Sequence, residues 1–327
     1  MLAPGSLGFL APERCGDARR CLHDPELQER LDDVGLCRRP AAVFEQVAEL
    51  TDGFDAIAAD LGGTSSPEDY NSTYAEFTII HSQPDFRRRA FELICSTLQP
   101  SIERYLIDYR PLVANFVNKP PGTGVVPAHQ NFSVVDEAVE RSVSVWVALV
   151  DCTMANGAMA MLDGSHRNLR GRRGMWAYQA FTGIEQEALD PLLTPVEVPA
   201  GHAVILDDAL VHSSPPNLTQ ERRLAIQFVM VPAETPAYWF QQVGEDEAAI
   251  EVAVWEIEPQ FFFDFWHGDG DERFAKPAGT MRVPNPVLEL DGLLDLVAGG
   301  EAADPPAQRS DPPRRRGVRG LISKLLG

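Results

Sequence analysis

Residues 203–231 read AVILDDALVHSSPPNLTQERRLAIQFVMV and contain the pattern that decides the fold. Two runs of β-branched and other apolar residues, 203–206 and 224–231, flank a polar segment with two consecutive prolines and an asparagine. Such runs are typical of strands, and proline and asparagine are typical of the turns between strands. The stretch therefore predicts two neighbouring strands, with His212 at the end of the first.

The same texture extends to both sides of this stretch. Further short β-type runs occupy residues 113–117, 142–150, 158–162 and 252–257. They lie too close together for a crossover helix between each pair, which favours a mainly antiparallel sandwich or barrel over a doubly wound parallel sheet. Before them, apolar residues recur at helical spacing. We expect one domain over residues 24–298, with a helical layer at about 24–109 and a β core at about 111–260.

Charge and cysteine content narrow the class of protein. Asp and Glu total 48 against 28 for Lys and Arg, a formal net charge of -20, so the overall field repels nucleic acid, which we do not expect as a partner. The five cysteines are odd in number and lack the spacing of a zinc site or a disulfide framework, which predicts a reducing, cytoplasmic setting. No secretion signal or membrane-spanning run is recognised, so we expect a soluble protein.

The two ends of the chain differ from its body. Residues 1–23 are interpreted as a variable N-terminal segment. Residues 299–316 are rich in Pro, Asp, Ala and Arg and predict a disordered linker. Residues 317–327 place apolar side chains on one helical face flanked by basic residues, which predicts a basic amphipathic helix. That helix either docks weakly on a membrane surface or a protein partner, or packs on the acidic body of its own domain.

Two histidines stand at the ends of predicted strands. His129 precedes polar Gln130 and Asn131 in a stretch that leads to the run at 142–150, and His212 ends the run that begins at residue 203. An isolated histidine in a β-rich chain is more often structural, but two at strand ends can converge across the mouth of a small barrel. The sequence therefore predicts a site built around this pair.

Four short motifs in order resemble those of the phytanoyl-CoA dioxygenase family. They are His129-Gln130-Asn131, Asp163-Gly164-Ser165-His166-Arg167, His212-Ser213-Ser214-Pro215-Pro216-Asn217 and Arg222-Arg223-Leu224-Ala225-Ile226. Each motif alone is weak, but four in the same order are more specific, and the resemblance covers about residues 111–232. It implies a mainly β fold with flanking helices, a cupin-like double-stranded β-helix or jelly roll. In this fold one non-haem iron is held by two histidines and one carboxylate.

The resemblance also implies roles for single residues. His129 and His212 would bind Fe(II), and Asn131 stands where the family has its metal-binding aspartate. Arg223 lies eleven residues after His212, where the family has the arginine that binds the distal carboxylate of 2-oxoglutarate. A guanidinium group suits that task because it can pair with a carboxylate through two hydrogen bonds. Weaker matches to positions that contact this cosubstrate or shape its pocket are Ser214, Gln130 and Trp146.

The implied activity is that of an Fe(II)/2-oxoglutarate-dependent dioxygenase. Such an enzyme uses O2 to hydroxylate a small molecule and converts 2-oxoglutarate to succinate. Asn131 leaves three outcomes open, because its amide oxygen carries no net charge. The amide coordinates weakly and the hydroxylase works, or a halide fills the vacated position and the enzyme halogenates, or catalysis is lost and the protein binds or regulates.

Four other features carry weaker expectations. Asp136 and Glu137 are interpreted as solvated turn residues, and His166 as a residue that fixes its turn by hydrogen bonding. The four arginines within residues 167–173 either receive an anionic substrate or pair with neighbouring acids on a solvated loop. The aromatic cluster at residues 261–266 is expected to pack on the barrel rather than to close over an apolar substrate.

Overall fold

The computed structural model describes residues 19–41, 44–64, 75–174, 181, 183–245, 249–264, 270–284 and 288–299. The predictions for residues 1–18, for the linker beyond residue 299 and for the C-terminal amphipathic helix lie outside these ranges. Among the helices of the described ranges, none combines the length and the apolar composition that crossing a membrane requires.

Three helices, α1 (Pro25–Val34), α2 (Phe44–Leu61) and α3 (Pro84–Ile102), form the layer before the β core. Asp24 caps α1, because its carboxylate accepts hydrogen bonds from the backbone N–H groups of Glu26 and Leu27. These donors have no partner within the helix, so the cap favours a start at this point. Gly35 ends α1 in a left-handed conformation with φ 93, which glycine adopts at little cost.

The stretch predicted to be a helical layer also contains a strand, β1 (Leu36–Pro40), between α1 and α2. This strand pairs antiparallel with residues 202–206 at the edge of the largest sheet. Local apolar spacing does not predict it, because a run of five residues gives too few positions to separate helical from strand periodicity. Its partner lies far away in the sequence, and the pairing with that partner decides its conformation.

Within the described ranges, three antiparallel sheets make up the β part of the molecule. The large sheet has the order β1, β8 (His202–Asp207), β5 (Val143–Ala148), β10 (Arg223–Pro232), β3 (Tyr109–Lys119), β2 (Glu76–Phe77). The small sheet has the order β4 (Val126–His129), β9 (His212–Ser214), β6 (Met159–Met161), β7 (Thr194–Val196). The two sheets pack through a shared apolar cluster that includes Trp146 and Met161. The predicted fold class, a mainly β, cupin-like jelly roll with flanking helices, is confirmed.

The two faces of the large sheet have different partners. Leu224 and Phe228 of β10 belong to the cluster that includes residues of α2 and α3, whereas Ala225 belongs to the cluster shared with the small sheet. Side chains alternate along a strand, so Arg223 and Gln227 lie on the same side as Ala225, between the two sheets. This inner side carries the candidate site.

A third sheet extends the β region beyond the predicted limit near residue 260. It has the order β11 (Ala237–Glu245), β12 (Ala249–Ile257), β13 (Ala275–Pro284). Phe261 and Phe262 are buried in one cluster with Trp239, so packing on the barrel is confirmed for the part of the aromatic cluster that the structure describes. Two short helices, α4 (Gln186–Leu189) and α5 (Leu290–Val297), complete the described elements.

Candidate active site

Strands β4 and β9 bring the two predicted histidines together. His129 is the cross-strand partner of His212, and their ring centroids are 4.2 Å apart. The Nδ1 atom of His129 lies 2.9 Å from the carbonyl oxygen of Pro127. The Nδ1 atom of His212 lies 2.8 Å from that of Leu210. When Nδ1–H donates to such a carbonyl, Nε2 keeps a free lone pair, as in metal-binding histidines.

The surroundings of both imidazoles favour the neutral form. Burial lowers the pKa of His129. Burial, and then the neighbouring His129 ring, lowers the pKa of His212 to about 3. A histidine must be neutral to bind a metal ion, so the pair is ready to do so at neutral pH.

The third predicted ligand, Asn131, takes part in a buried polar network. Its Nδ2 donates to Oδ1 of Asp208 over 2.8 Å and to Oγ of Ser144 over 3.1 Å. Its Oδ1 accepts a longer hydrogen bond of 3.3 Å from Nε2 of Gln227. The amide orientation follows from this network, because only the nitrogen can donate to a carboxylate. Asn131 is 7 % exposed, so the side chain is held almost entirely by protein contacts.

Asp208 was not singled out from the sequence. It is fully buried, and Oγ of Ser144 donates to its Oδ1 over 2.6 Å, whereas its Oδ2 has no hydrogen-bond partner. Burial raises the pKa of its carboxyl group to about 6. Its neighbour Asp207 differs, because Arg170 and Arg141 lie 2.5 Å and 3.1 Å away. Although burial opposes the effect, these arginines hold the pKa of Asp207 well below its usual range.

No group of three or more histidine, cysteine or carboxylate side chains is gathered around a possible metal position in the described ranges. The histidine pair therefore has no carboxylate as a third donor among these residues. This agrees with the asparagine at position 131.

At the other end of the inner face, Arg223 of β10 lies opposite Lys119 of β3. Arg223 is 1 % exposed, and its guanidinium carbon lies 5.2 Å from the centroid of the Trp146 ring. Its Nε and Nη1 atoms have no hydrogen-bond partner. A buried donor without a partner is costly unless a ligand supplies the acceptor. Arg223 and Trp146, two of the predicted cosubstrate residues, are thus in contact.

Lys119 is the second residue that the sequence reasoning missed. It is fully buried, and its Nζ donates to Oγ of Ser214 over 2.5 Å and to the carbonyl oxygen of Pro215 over 2.6 Å. Burial, and then the charge of Arg223, lowers the pKa of Lys119 to about 6. In the described ranges neither Lys119 nor Arg223 forms a salt bridge with a carboxylate. A lysine at the inner end of a strand with buried residues was the available signal.

The remaining cosubstrate candidates have different surroundings. Ser214 contacts Lys119 and donates through Oγ to the carbonyl oxygen of Gly157 over 2.7 Å. Gln130 donates through Nε2 to the carbonyl oxygens of Leu169 and Ala209, over 2.8 Å and 2.6 Å. The Gln130 amide thereby ties the loop after β6 to the turn before His212.

All four arginines of the 167–173 loop pair with acids. The pairs are Arg167–Asp33 at 3.0 Å, Arg170–Asp207 at 2.5 Å, Arg172–Asp136 at 2.8 Å and Arg173–Glu137 at 2.7 Å. The interpretation of Glu137 as a solvated turn residue is wrong, because both Glu137 and Arg173 are buried and 1 % exposed at their side chains. The pair spans two loops distant in the sequence, so local polarity did not reveal it. His166 Nε2 lies 3.1 Å from the carbonyl oxygen of Asp32, which links its turn to α1.

Comparisons with known proteins bear on the same region. Residues 31–225 match the model of the phytanoyl-CoA dioxygenase (PhyH) family. The zebrafish (Danio rerio) phytanoyl-CoA dioxygenase domain-containing protein 1 is 25% identical over 266 residues, which cover 73% of this chain and 90% of that protein. A phytanoyl-CoA dioxygenase of Arabidopsis thaliana is 31% identical over 135 residues, 38% of this chain and 46% of that protein. The family match includes the histidine pair and Arg223.

Two solved structures share part of the architecture. One is SnoK, a non-haem α-ketoglutarate-dependent carbocyclase from nogalamycin biosynthesis, with a TM-score of 0.48, 18% identity and coverage of 70% of this chain and 89% of that one. The other is HygX from Streptomyces hygroscopicus with nickel and 2-oxoglutarate bound, with a TM-score of 0.44, 17% identity and coverage of 64% and 88%.

Proposed function

Because this chain belongs to the phytanoyl-CoA dioxygenase family, we propose that it is an Fe(II)- and 2-oxoglutarate-dependent dioxygenase that hydroxylates a small molecule. One observation carries the proposal: Arg223 is buried between the sheets with two guanidinium nitrogens that have no hydrogen-bond partner. Such a group is stable when a carboxylate completes it.

The cosubstrate end suits a dicarboxylate. The free Nε and Nη1 atoms of Arg223 can donate to one carboxylate, and Nζ of Lys119 lies across the strand pair from them. Ser214 orients Lys119, and Trp146 supports the guanidinium from below. Bringing an anion to two buried cations removes an unfavourable charge balance, which favours 2-oxoglutarate over a neutral ligand.

The metal end suits a weak three-donor site. His129 and His212 have free Nε2 atoms, and Oδ1 of Asn131 adds a neutral oxygen donor. Fe(II) bound there would supply the oxygen activation that protein side chains do not provide. The protein keeps both imidazoles neutral, fixes their tautomer through carbonyl contacts, and orients the Asn131 amide through its network.

Succinate formation tests the proposal. Incubation with Fe(II), 2-oxoglutarate and O2 should yield succinate in the unmodified protein, since such enzymes turn over slowly without substrate. The Arg223→Ala variant should yield none above background. Equal succinate from both proteins would remove Arg223 from the cosubstrate site. Mass analysis of products formed with chloride present separates hydroxylation from the halogenase alternative, which stays a prediction.

A second candidate function follows from the donor set. Among the described residues the histidine pair lacks a carboxylate donor, which favours a protein that binds a dicarboxylate without redox chemistry. In that case 2-oxoglutarate would bind with the same affinity with and without Fe(II), and His212→Ala would leave this affinity unchanged. A rise in affinity when Fe(II) is added would reject this candidate.

A further inference from the structure

The network around Asn131 leaves one amide atom available. Its Nδ2 is occupied by two acceptors, Asp208 and Ser144, at 2.8 Å and 3.1 Å. Its Oδ1 has one long contact of 3.3 Å with Gln227. A metal ion binds to the oxygen of an amide and not to its nitrogen. The hydrogen bond to Asp208 therefore keeps the side chain in the orientation in which it can serve as a ligand.

Asp208 in turn lacks a cation. In the described ranges it forms no salt bridge, and its Oδ2 has no hydrogen-bond partner. The nearby guanidinium of Arg173 is bound to both carboxylate oxygens of Glu137 and reaches only the main-chain oxygen of Asp208, at 3.4 Å. A buried carboxylate without a cation is unfavourable.

The two deficits complement each other. The position of the histidine pair and Asn131 lacks a negative charge for a divalent cation, and Asp208, one hydrogen bond away, lacks a positive charge. We propose that Asp208 supplies, through the Asn131 amide, the negative charge that the ligand at position 131 does not carry. The inference rests on the proposed function, in which His129 and His212 hold the metal. Asp208 is a positioning residue, because it does not join the histidines as a donor.

The physical effect is polarisation. A hydrogen bond from Nδ2–H to a carboxylate increases the negative charge on Oδ1, in the way that a carboxylate behind a histidine strengthens that ligand. The arrangement moves the usual ligand charge outward by one residue. An aspartate at position 131 with Asp208 retained would instead place two carboxylates where the 2.8 Å hydrogen bond now stands. Like charges at that distance repel, so Asn131→Asp alone is not a restoration of the site.

A double-mutant cycle tests the inference. Unmodified protein, Asp208→Asn, Asn131→Asp and the combined exchange are titrated with Fe(II) and 2-oxoglutarate without oxygen, and the dissociation constant of Fe(II) is measured. Asp208→Asn should weaken Fe(II) binding by about 10- to 100-fold, the usual effect of removing an outer partner of a ligand. Asn131→Asp should not bind Fe(II) more tightly than unmodified protein. The combined exchange should bind at least as tightly, because the charge then lies on the ligand itself.

Spectroscopy separates a positioning role from a structural one. With less charge on Oδ1, the visible band of the Fe(II)–2-oxoglutarate complex should move to shorter wavelength in Asp208→Asn. Asp60→Asn serves as the matched control, because it removes one carboxylate from an exposed pair with Arg89. It should leave the Fe(II) affinity and the band unchanged. Affinity for 2-oxoglutarate without metal reports folding, and it should be retained in all variants.

Two results would overturn the inference. One is Fe(II) affinity in Asp208→Asn equal to that of unmodified protein, which removes Asp208 but leaves the proposed function standing. The other is tighter Fe(II) binding by Asn131→Asp alone than by the combined exchange. If none of the four proteins binds Fe(II), the proposed function and the inference both fall.

Discussion

The two ends of the candidate site satisfy their buried polar groups in opposite ways. At the cosubstrate end, Arg223 keeps two donors without a partner, and neither it nor Lys119 has a carboxylate partner in the described ranges. At the metal end, the Asn131 amide is hydrogen-bonded to three neighbouring side chains. A ligand is needed to complete the first end, whereas the protein nearly completes the second by itself. Affinity for 2-oxoglutarate and affinity for Fe(II) should therefore respond to different substitutions.

The largest effect should come from Arg223→Ala. Truncating one partner of a buried charge pair costs about 3–5 kcal/mol, so the affinity for 2-oxoglutarate should fall by about 100- to 1,000-fold. Calorimetry without metal measures it. Arg222→Ala is the matched control, because Arg222 is adjacent but pairs with Asp55 on the outer side. Comparable losses in the two variants would show that the loss is not specific to the inner guanidinium.

His212→Ala should separate the two ends. Removal of one of the two imidazoles should weaken Fe(II) binding by at least about 100-fold, the upper range for changes in an outer partner alone. Metal-free binding of 2-oxoglutarate should change little, since Arg223 and Lys119 remain. His202→Ala is a suitable control, because His202 begins β8 and lies only 3.4 Å from its own loop carbonyl at Ala200. Loss of metal-free 2-oxoglutarate binding in His212→Ala would contradict the division into two ends.

A smaller effect should appear in the pH dependence of the cosubstrate end. The pKa of Lys119 is about 6 in the folded protein and near 10.5 in an unfolded chain. An anion favours protonated Lys119, so affinity for 2-oxoglutarate should fall as pH rises above 6, by up to about tenfold per pH unit. Calorimetry between about pH 6.5 and 8.5 measures this slope. In Lys119→Met the slope should flatten and binding at the lowest pH should weaken.

The same lysine has a defined effect on stability without ligand. Between the two pKa values the unfolded chain binds a proton that folded Lys119 lacks, so this group makes stability increase with pH over that window. Thermal unfolding should show a smaller increase in Lys119→Met than in unmodified protein. Parallel curves would mean that Lys119 keeps its proton in the folded state.

Sequence alone predicted what local patterns encode. The short β-type runs predicted the antiparallel fold, and the histidines at strand ends predicted a pair that the structure brings to 4.2 Å between ring centroids. Lys119 was missed because a lysine at a strand end is usually solvated, and its burial depends on Ser214 and Pro215 from another strand. Asp208 was missed because adjacent aspartates resemble an ordinary turn, and its partner Asn131 is distant in sequence.

The most direct measurement adds Fe(II) and 2-oxoglutarate to metal-free protein without oxygen and records the visible charge-transfer band of the chelate. The account predicts a band in the unmodified protein that is lost in His212→Ala and in Arg223→Ala at the same concentrations. No band in the unmodified protein, or an equal band in His212→Ala, would contradict the account.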